Sequence, residues 1–281
     1  MNAVRFGPAG NSDNFPGKSS LEAPAWLHGL GLNAYEYQCG RGVNIGEETA
    51  RKLGAQAREY DIALSLHSPY YINLASEDPD RRAKNLEHLM KSARAAAWMG
   101  ATRIVVHSGA AGGGIDRKRA AATALNTLKE ALSRMEASGF GHIALCPETM
   151  GKVNQLGTLE EVLEICQGDG RLIPCVDFGH LYARSHGQLN TPETFGAALD
   201  AIQGALGSDR ARSFHVHFSK IQYSKGGEVR HLTFENTEYG PDFAPLAALL
   251  RARGYTPVFI CESAGVQAGD AMVMRDVWGD C

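Results

Sequence analysis

Eight short β-rich runs recur along this chain, spaced widely enough for helices to lie between them. They are Val4–Phe6, Leu32–Tyr37, Ala63–His67, Arg103–His107, Ile143–Glu148, Ile173–Asp177, Ser213–Phe218 and Pro257–Glu262. Continuous apolar stretches such as Ile104-Val105-Val106 suit parallel strands covered on both faces. Stretches rich in Ala, Leu, Glu, Lys and Arg separate them and predict helices over 47–60, 81–99, 117–137, 159–166, 192–206 and 242–253. Thr158 before Leu159-Glu160-Glu161 and Thr191 before Pro192-Glu193 are start signals; Gly100, Gly139 and Gly254 are stop signals. This arithmetic predicts an α/β fold, a (β/α)8 TIM barrel, with residues 1–281 as one domain. A doubly wound open sheet is the alternative, because local pattern does not show closure.

Composition narrows the class. The chain has 281 residues, 44% hydrophobic and 21% charged, which excludes disordered, collagen-like and coiled-coil proteins. A formal charge of −3 excludes nucleic-acid binding through a broadly basic surface. It leaves room for a nucleic-acid enzyme whose positive charge comes from bound metal. No apolar run reaches about 18 residues, so no membrane span is expected. The start, Met1-Asn2-Ala3-Val4-Arg5, has no signal-peptide pattern, and the six scattered cysteines include no CxxC. A cytoplasmic protein with reduced thiols is expected. Gly109–Gly114 is a glycine loop without the following GK[ST] of a phosphate cradle.

The polar residues are placed where chemistry would need them. The third run ends at His67, the fourth at His107 and the fifth at Glu148. The sixth ends at Asp177, with His180 just beyond. The seventh holds His215 and His217, and the eighth ends at Glu262. In a barrel these ends open onto one face. Of His215 and His217, one is expected inside the barrel and the other toward the helices, with His217 the inner one. Gathering carboxylates and imidazoles in one mouth is costly unless cations neutralise them. Imidazole mixed with carboxylate, without thiolate, suits zinc, manganese or iron(II), and a bridging carboxylate suits paired metals about 3.5–4 Å apart.

Several segments resemble the endonuclease IV family (apurinic/apyrimidinic endonuclease family 2). His67-Ser68-Pro69-Tyr70-Tyr71-Ile72-Asn73-Leu74 is similar to its H-x-x-Y-x-I-N-L segment. Val106-His107-Ser108-Gly109 and Pro147-Glu148-Thr149-Met150-Gly151 look like its second-histidine and bridging-glutamate segments. Cys175-Val176-Asp177-Phe178-Gly179-His180 resembles C-x-D-x-x-H, and Val216-His217-Phe218, Arg230-His231 and Ile260-Cys261-Glu262-Ser263 complete the order. The resemblance implies a TIM barrel holding two or three zinc ions, with manganese as a substitute. His67, His107 and Glu148 would hold the first ion. Glu148 would bridge to a second, held also by Asp177, His217 and Glu262. His180 and His231 would hold the third. Glu148 and Glu262 are the candidate catalytic residues. The family cleaves damaged double-stranded DNA 5′ to abasic sites in base excision repair, by metal-assisted attack on phosphorus. Tyr70 matches a position that enters the duplex, and Arg41 is a candidate phosphate contact. A monomer is expected.

Three departures qualify the match. Where the family has an aspartate two residues before the last histidine, this chain has Val229; strand parity would turn Glu228 the opposite way, so a weakened third site is expected. Phe218-Ser219-Lys220 replaces an Asn-Asp pair after His217, and the loops after the first two strands differ from the family's DNA-reading loops. A divalent-metal-dependent sugar isomerase or epimerase on the same barrel is the alternative, with Glu148, Asp177, His217 and Glu262 around one ion. An inert metal-stabilised barrel is a third.

Overall fold

The computed structural model describes residues 4–111, 114 and 116–281. Residues 1–3 of the N-terminal segment, and Gly112 and Gly113 of the glycine loop, lie outside these, as does Ile115. In chain order the strands are β1 (Arg5–Pro8), β2 (Ala34–Gln38), β3 (Ala63–His67), β4 (Arg103–His107), β5 (Ala144–Glu148), β6 (Cys175–Asp177), β7 (His215–Phe218), β8 (Lys220–Ser224), β9 (Gly227–Leu232) and β10 (Val258–Cys261). The helices are α1 (Ala23–Gly29), α2 (Glu47–Glu59), α3 (Pro79–Met99), α4 (Arg117–Ala137), α5 (Leu159–Gln167), α6 (Phe178–Arg184), α7 (Pro192–Ala211), α8 (Phe243–Ala252) and α9 (Gln267–Asp280).

Eight strands pair in parallel in the order β1-β10-β7-β6-β5-β4-β3-β2. The ends meet. Ala9 bridges Glu36 in parallel, Gly10 N–H donates to Glu36 O at 2.9 Å, and Asn33 N–H donates to Phe6 O at 3.0 Å. The sheet is thus a closed barrel, and the open-sheet alternative falls. Closure depends on Gly7: a Cβ there would lie 1.8 Å from Ala34 O, so β1 reaches β2 only without a side chain.

Each of the eight expected strands is present within a residue or two of its expected ends. The apolar run on β4 divides by pleat parity. Ile104 and Val106 join the large core under the helices, while Val105 packs with Cys146 and Cys175. The start signals work as read: Thr158 and Thr191 both form capping boxes. Gly100, Gly139 and Gly254 all take positive φ. Gly207, at φ 75°, breaks α7 one residue past the expected end at Leu206. Sequence reasoning did not foresee α6, α9 or the antiparallel hairpin β8–β9, which is inserted after β7 outside the barrel. Among the described residues no helix is long and apolar enough to cross a membrane.

Candidate metal centre

Pleat alternation turns every second strand residue toward the barrel axis, and at the C-terminal rim those residues are the expected polar set. Register sets them side by side, with His107 opposite Glu148 and Asp177 opposite His217. Among the described residues four groups of potential ligands result, each with its donor atoms within 4.8 Å of one another: His67, His107 and Glu148; Glu148, Asp177, His217 and Glu262; His180, Glu228 and His231; and, fully buried, Cys175, His215 and His217.

Glu148 joins the first two groups. Its Oε2 lies 3.3 Å from His67 Nε2 and 3.1 Å from His107 Nε2, while its Oε1 lies 2.9 Å from His217 Nδ1. Each oxygen therefore faces a different donor group. Asp177 works in two directions at once. As N-cap of α6 its Oδ1 accepts the His180 N–H at 2.7 Å, which explains why an Asp and a His three residues on end up adjacent. Its Oδ2 is buried without a hydrogen bond. A cation would satisfy that orphaned oxygen.

The histidines are oriented by their outer nitrogens. His67 Nδ1 donates to Ser68 O at 2.8 Å and His180 Nδ1 to Thr149 O at 2.9 Å; a carbonyl only accepts, so the Nε2 lone pairs face the groups. His231 Nδ1 meets Ser219 Oγ at 2.8 Å. Such outer partners are what a metal site requires, and the donor set fits the implied divalent ions.

Electrostatics follow the same division. Burial works against every charge here, but the imidazoles of His217, His107 and His67 hold the Glu148 carboxyl well below the usual carboxylate range. His217 likewise overcomes burial to bring Glu262 down to about 2. Asp177 goes the other way, to about 6, pushed up by burial and by Glu262 and Glu148 despite His180. Burial disfavours charge on His180, yet Asp177 and Glu228 raise it to about 9. Without cations, protons do the neutralising.

Two expectations need correction. Glu228 faces inward, its Oε2 3.4 Å from His180 Nε2, whereas Val229 is 51% exposed. The parity count assumed a regular strand, but β9 is bulged: Tyr223 pairs with Glu228 and Gln222 with Arg230, leaving Val229 as the extra residue. The place expected of an aspartate is filled by Glu228 from the neighbouring position. Gly151 makes the approach possible, since a Cβ there would lie 2.6 Å from Glu228 Cβ. The second correction concerns His215 and His217. Two residues apart on one strand, they point the same way. Both are buried inside the barrel, with Glu36 facing both: its Oε2 is 3.0 Å from His215 Nε2 and its Oε1 3.1 Å from His217 Nε2.

Glu36 was missed by sequence reasoning, though a lone acid in the run Ala34-Tyr35-Glu36-Tyr37 was a signal. Lys152 and Gln155, from the loop after β5, also line the 420 Å³ cavity over the groups. Tyr70 forms part of its wall. Its ring stacks on His107 with centroids 5.5 Å apart, and its hydroxyl donates to Gln38 Oε1 at 2.8 Å. Arg41 is exposed on the turn after β2.

Residues 24–276 match the family model described as the xylose isomerase-like TIM barrel. The chain belongs to that family. This xylose isomerase-like barrel is 30% identical over 276 residues to an uncharacterized protein of Methanocaldococcus jannaschii, spanning 96% of this chain and 95% of the relative. It is 29% identical over 241 residues to the probable endonuclease 4 of Acholeplasma laidlawii, spanning 79% and 78%. Among solved structures, endonuclease IV from Thermus thermophilus superposes with a TM-score of 0.69 at 23% identity, over 99% of this chain and 100% of that one. The 3-keto-D-glucoside 4-epimerase of E. coli also superposes at 0.69, at 17% identity over the same shares. The barrel shape alone therefore does not separate the two chemistries.

Proposed function

We propose that this barrel is a metal-dependent phosphodiesterase of the endonuclease IV type, cleaving double-stranded DNA 5′ to abasic sites. The observation that carries the reading is Glu148, one oxygen toward His67 and His107 and the other toward His217, with a third group beside it. A sugar isomerase has no evident need for the first and third groups. The sequence relatives that are probable endonucleases support the same reading.

In this reading His67, His107 and Glu148 hold one ion, Glu148, Asp177, His217 and Glu262 a second, and His180, Glu228 and His231 a third. Bound zinc, or manganese in its place, supplies charge neutralisation at phosphorus and activation of the attacking water. Four carboxylates against three divalent ions leave the mouth positive, so a phosphodiester is drawn into an otherwise acidic protein. Lys152, exposed at the cavity edge, adds a cation for a flanking phosphate. Tyr70 offers an aromatic face at the rim for an unstacked nucleotide, and Arg41 a phosphate contact.

The alternative, an isomerase or epimerase, rests on the group Glu148, Asp177, His217 and Glu262, enough for one ion between a substrate's oxygens. Metal analysis of protein purified without chelator, paired with incision of an abasic duplex, separates the readings. Two or three zinc ions per chain and specific nicking are expected. A single ion with ketose epimerisation and no nicking would replace this reading with the alternative.

A further inference from the structure

We propose that Glu36, deep inside the barrel, is the positioning residue of the second ligand group, acting through His217. The inference rests on the cation-binding reading above and extends it to a residue beneath the mouth.

Glu36 lies on β2 and is fully buried. Its Oε2 accepts from Ser65 Oγ at 2.9 Å and stands 3.0 Å from His215 Nε2. Its Oε1 accepts from Gln38 Nε2 at 3.1 Å and stands 3.1 Å from His217 Nε2. The tautomer of His215 is set from below. Arg103 Nη1 approaches His215 Nδ1 at 3.5 Å, and a guanidinium only donates, so His215 must accept there and donate through Nε2 to Glu36. That leaves Oε1 to face His217.

His217 is shared between two surroundings. Its Nδ1 points up to Glu148 at 2.9 Å and Glu262 at 3.5 Å, the side where a cation would sit. Its Nε2 points down to Glu36, 3.1 Å from Oε1 but without hydrogen-bond geometry, so this buried nitrogen has no hydrogen bond. A bound cation would take the Nδ1 lone pair and leave the proton on Nε2, where the carboxylate behind the ring would receive it, fixing the tautomer and strengthening His217 as a ligand. His67 and His180 find backbone carbonyls for this purpose, and His231 finds a serine hydroxyl. His217 has an anion instead, and it belongs to the group that holds Glu148 and Asp177.

The test is zinc titration of the metal-free wild type and Glu36→Gln against a chromophoric chelator, with melting temperatures of both proteins with and without zinc. The expected result is about 10–100-fold weaker zinc binding in the variant and a smaller rise in melting temperature on adding zinc. Equal affinity and an equal rise would overturn the proposal, because a merely structural carboxylate would lower both melting temperatures together. Should the variant not fold, the wild type decides through histidine ¹⁵N–¹H correlation spectra of the zinc-loaded protein. A proton on His217 Nε2 supports the proposal and a proton on Nδ1 overturns it. A wild type that takes up no zinc removes the functional reading as well, whereas unchanged binding in the variant removes only the role of Glu36.

Discussion

Glu228 and His231 stand three residues apart on β9, yet they face one cluster, with Oε1 and Nε2 3.9 Å apart. In a regular strand they would lie on opposite faces. The bulge at Val229 restores them to the same side. Glu228→Gln is therefore expected to lower the zinc content by about one ion per chain and leave the remainder bound. Val229→Asp is expected to leave it unchanged, since Val229 faces solvent. Elemental analysis of the two variants checks both statements, and a gain of metal in Val229→Asp would contradict the bulge.

Glu148 serves two groups, so its loss should exceed that of any single histidine. Glu148→Gln is expected to reduce abasic-site incision by roughly 10³-fold or more. Metal content should fall in parallel. Full activity in steady-state nicking assays would remove Glu148 from the mechanism.

The His180 imidazole is held at about 9 in the metal-free protein, against 6.5 for an ordinary histidine, by Asp177 and Glu228 working against burial. A raised folded-state value contributes stability that is complete below 6.5 and is lost as pH rises through 9. Metal-free protein should thus melt at progressively lower temperature between those limits, in calorimetry. The same proton competes with a cation, so affinity of the third group should fall by about tenfold per pH unit as pH drops below 9. A flat affinity across that window would show that His180 is not a ligand.

Chelation should destabilise the fold as a whole, because the carboxylates of the mouth then depend on protons alone. At a free ion concentration of about 100 Kd, binding contributes roughly 2.7 kcal/mol. For a chain this long that corresponds to several degrees in melting temperature. Thermal scans before and after chelator treatment measure it, and restored zinc should reverse the change.

Gly7→Ala should weaken closure of the barrel between β1 and β2, since the added Cβ would overlap Ala34 O. A cost of about 1–3 kcal/mol is expected. Gly204→Ala, in α7 with open space around it, is the control and should stabilise by about 0.5–1 kcal/mol. Equal effects in denaturant titrations would contradict the close approach.

Much of this protein was legible along the chain. Local patterns reach their elements through short-range physics: apolar runs became strands, Thr158 and Thr191 became caps, and strand-end residues met at one rim because parallel strands place like ends together. Asp177 and His180 were legible as a pair through the likeness to C-x-D-x-x-H, whereas the helix cap that sets their separation appeared only in the fold. Closure was not legible, since it depends on Ala9 meeting Glu36 across residues near both ends of the β1–β2 connection. Nor was the inward turn of Glu228, because a bulge is decided by the pairing of β8 with β9 and by the room that Gly151 leaves, neither of which is written at position 228. Glu36 lay hidden for a similar reason. A single acid in a strand reads as nothing until folding brings His215 and His217, some 180 residues away, against its two oxygens.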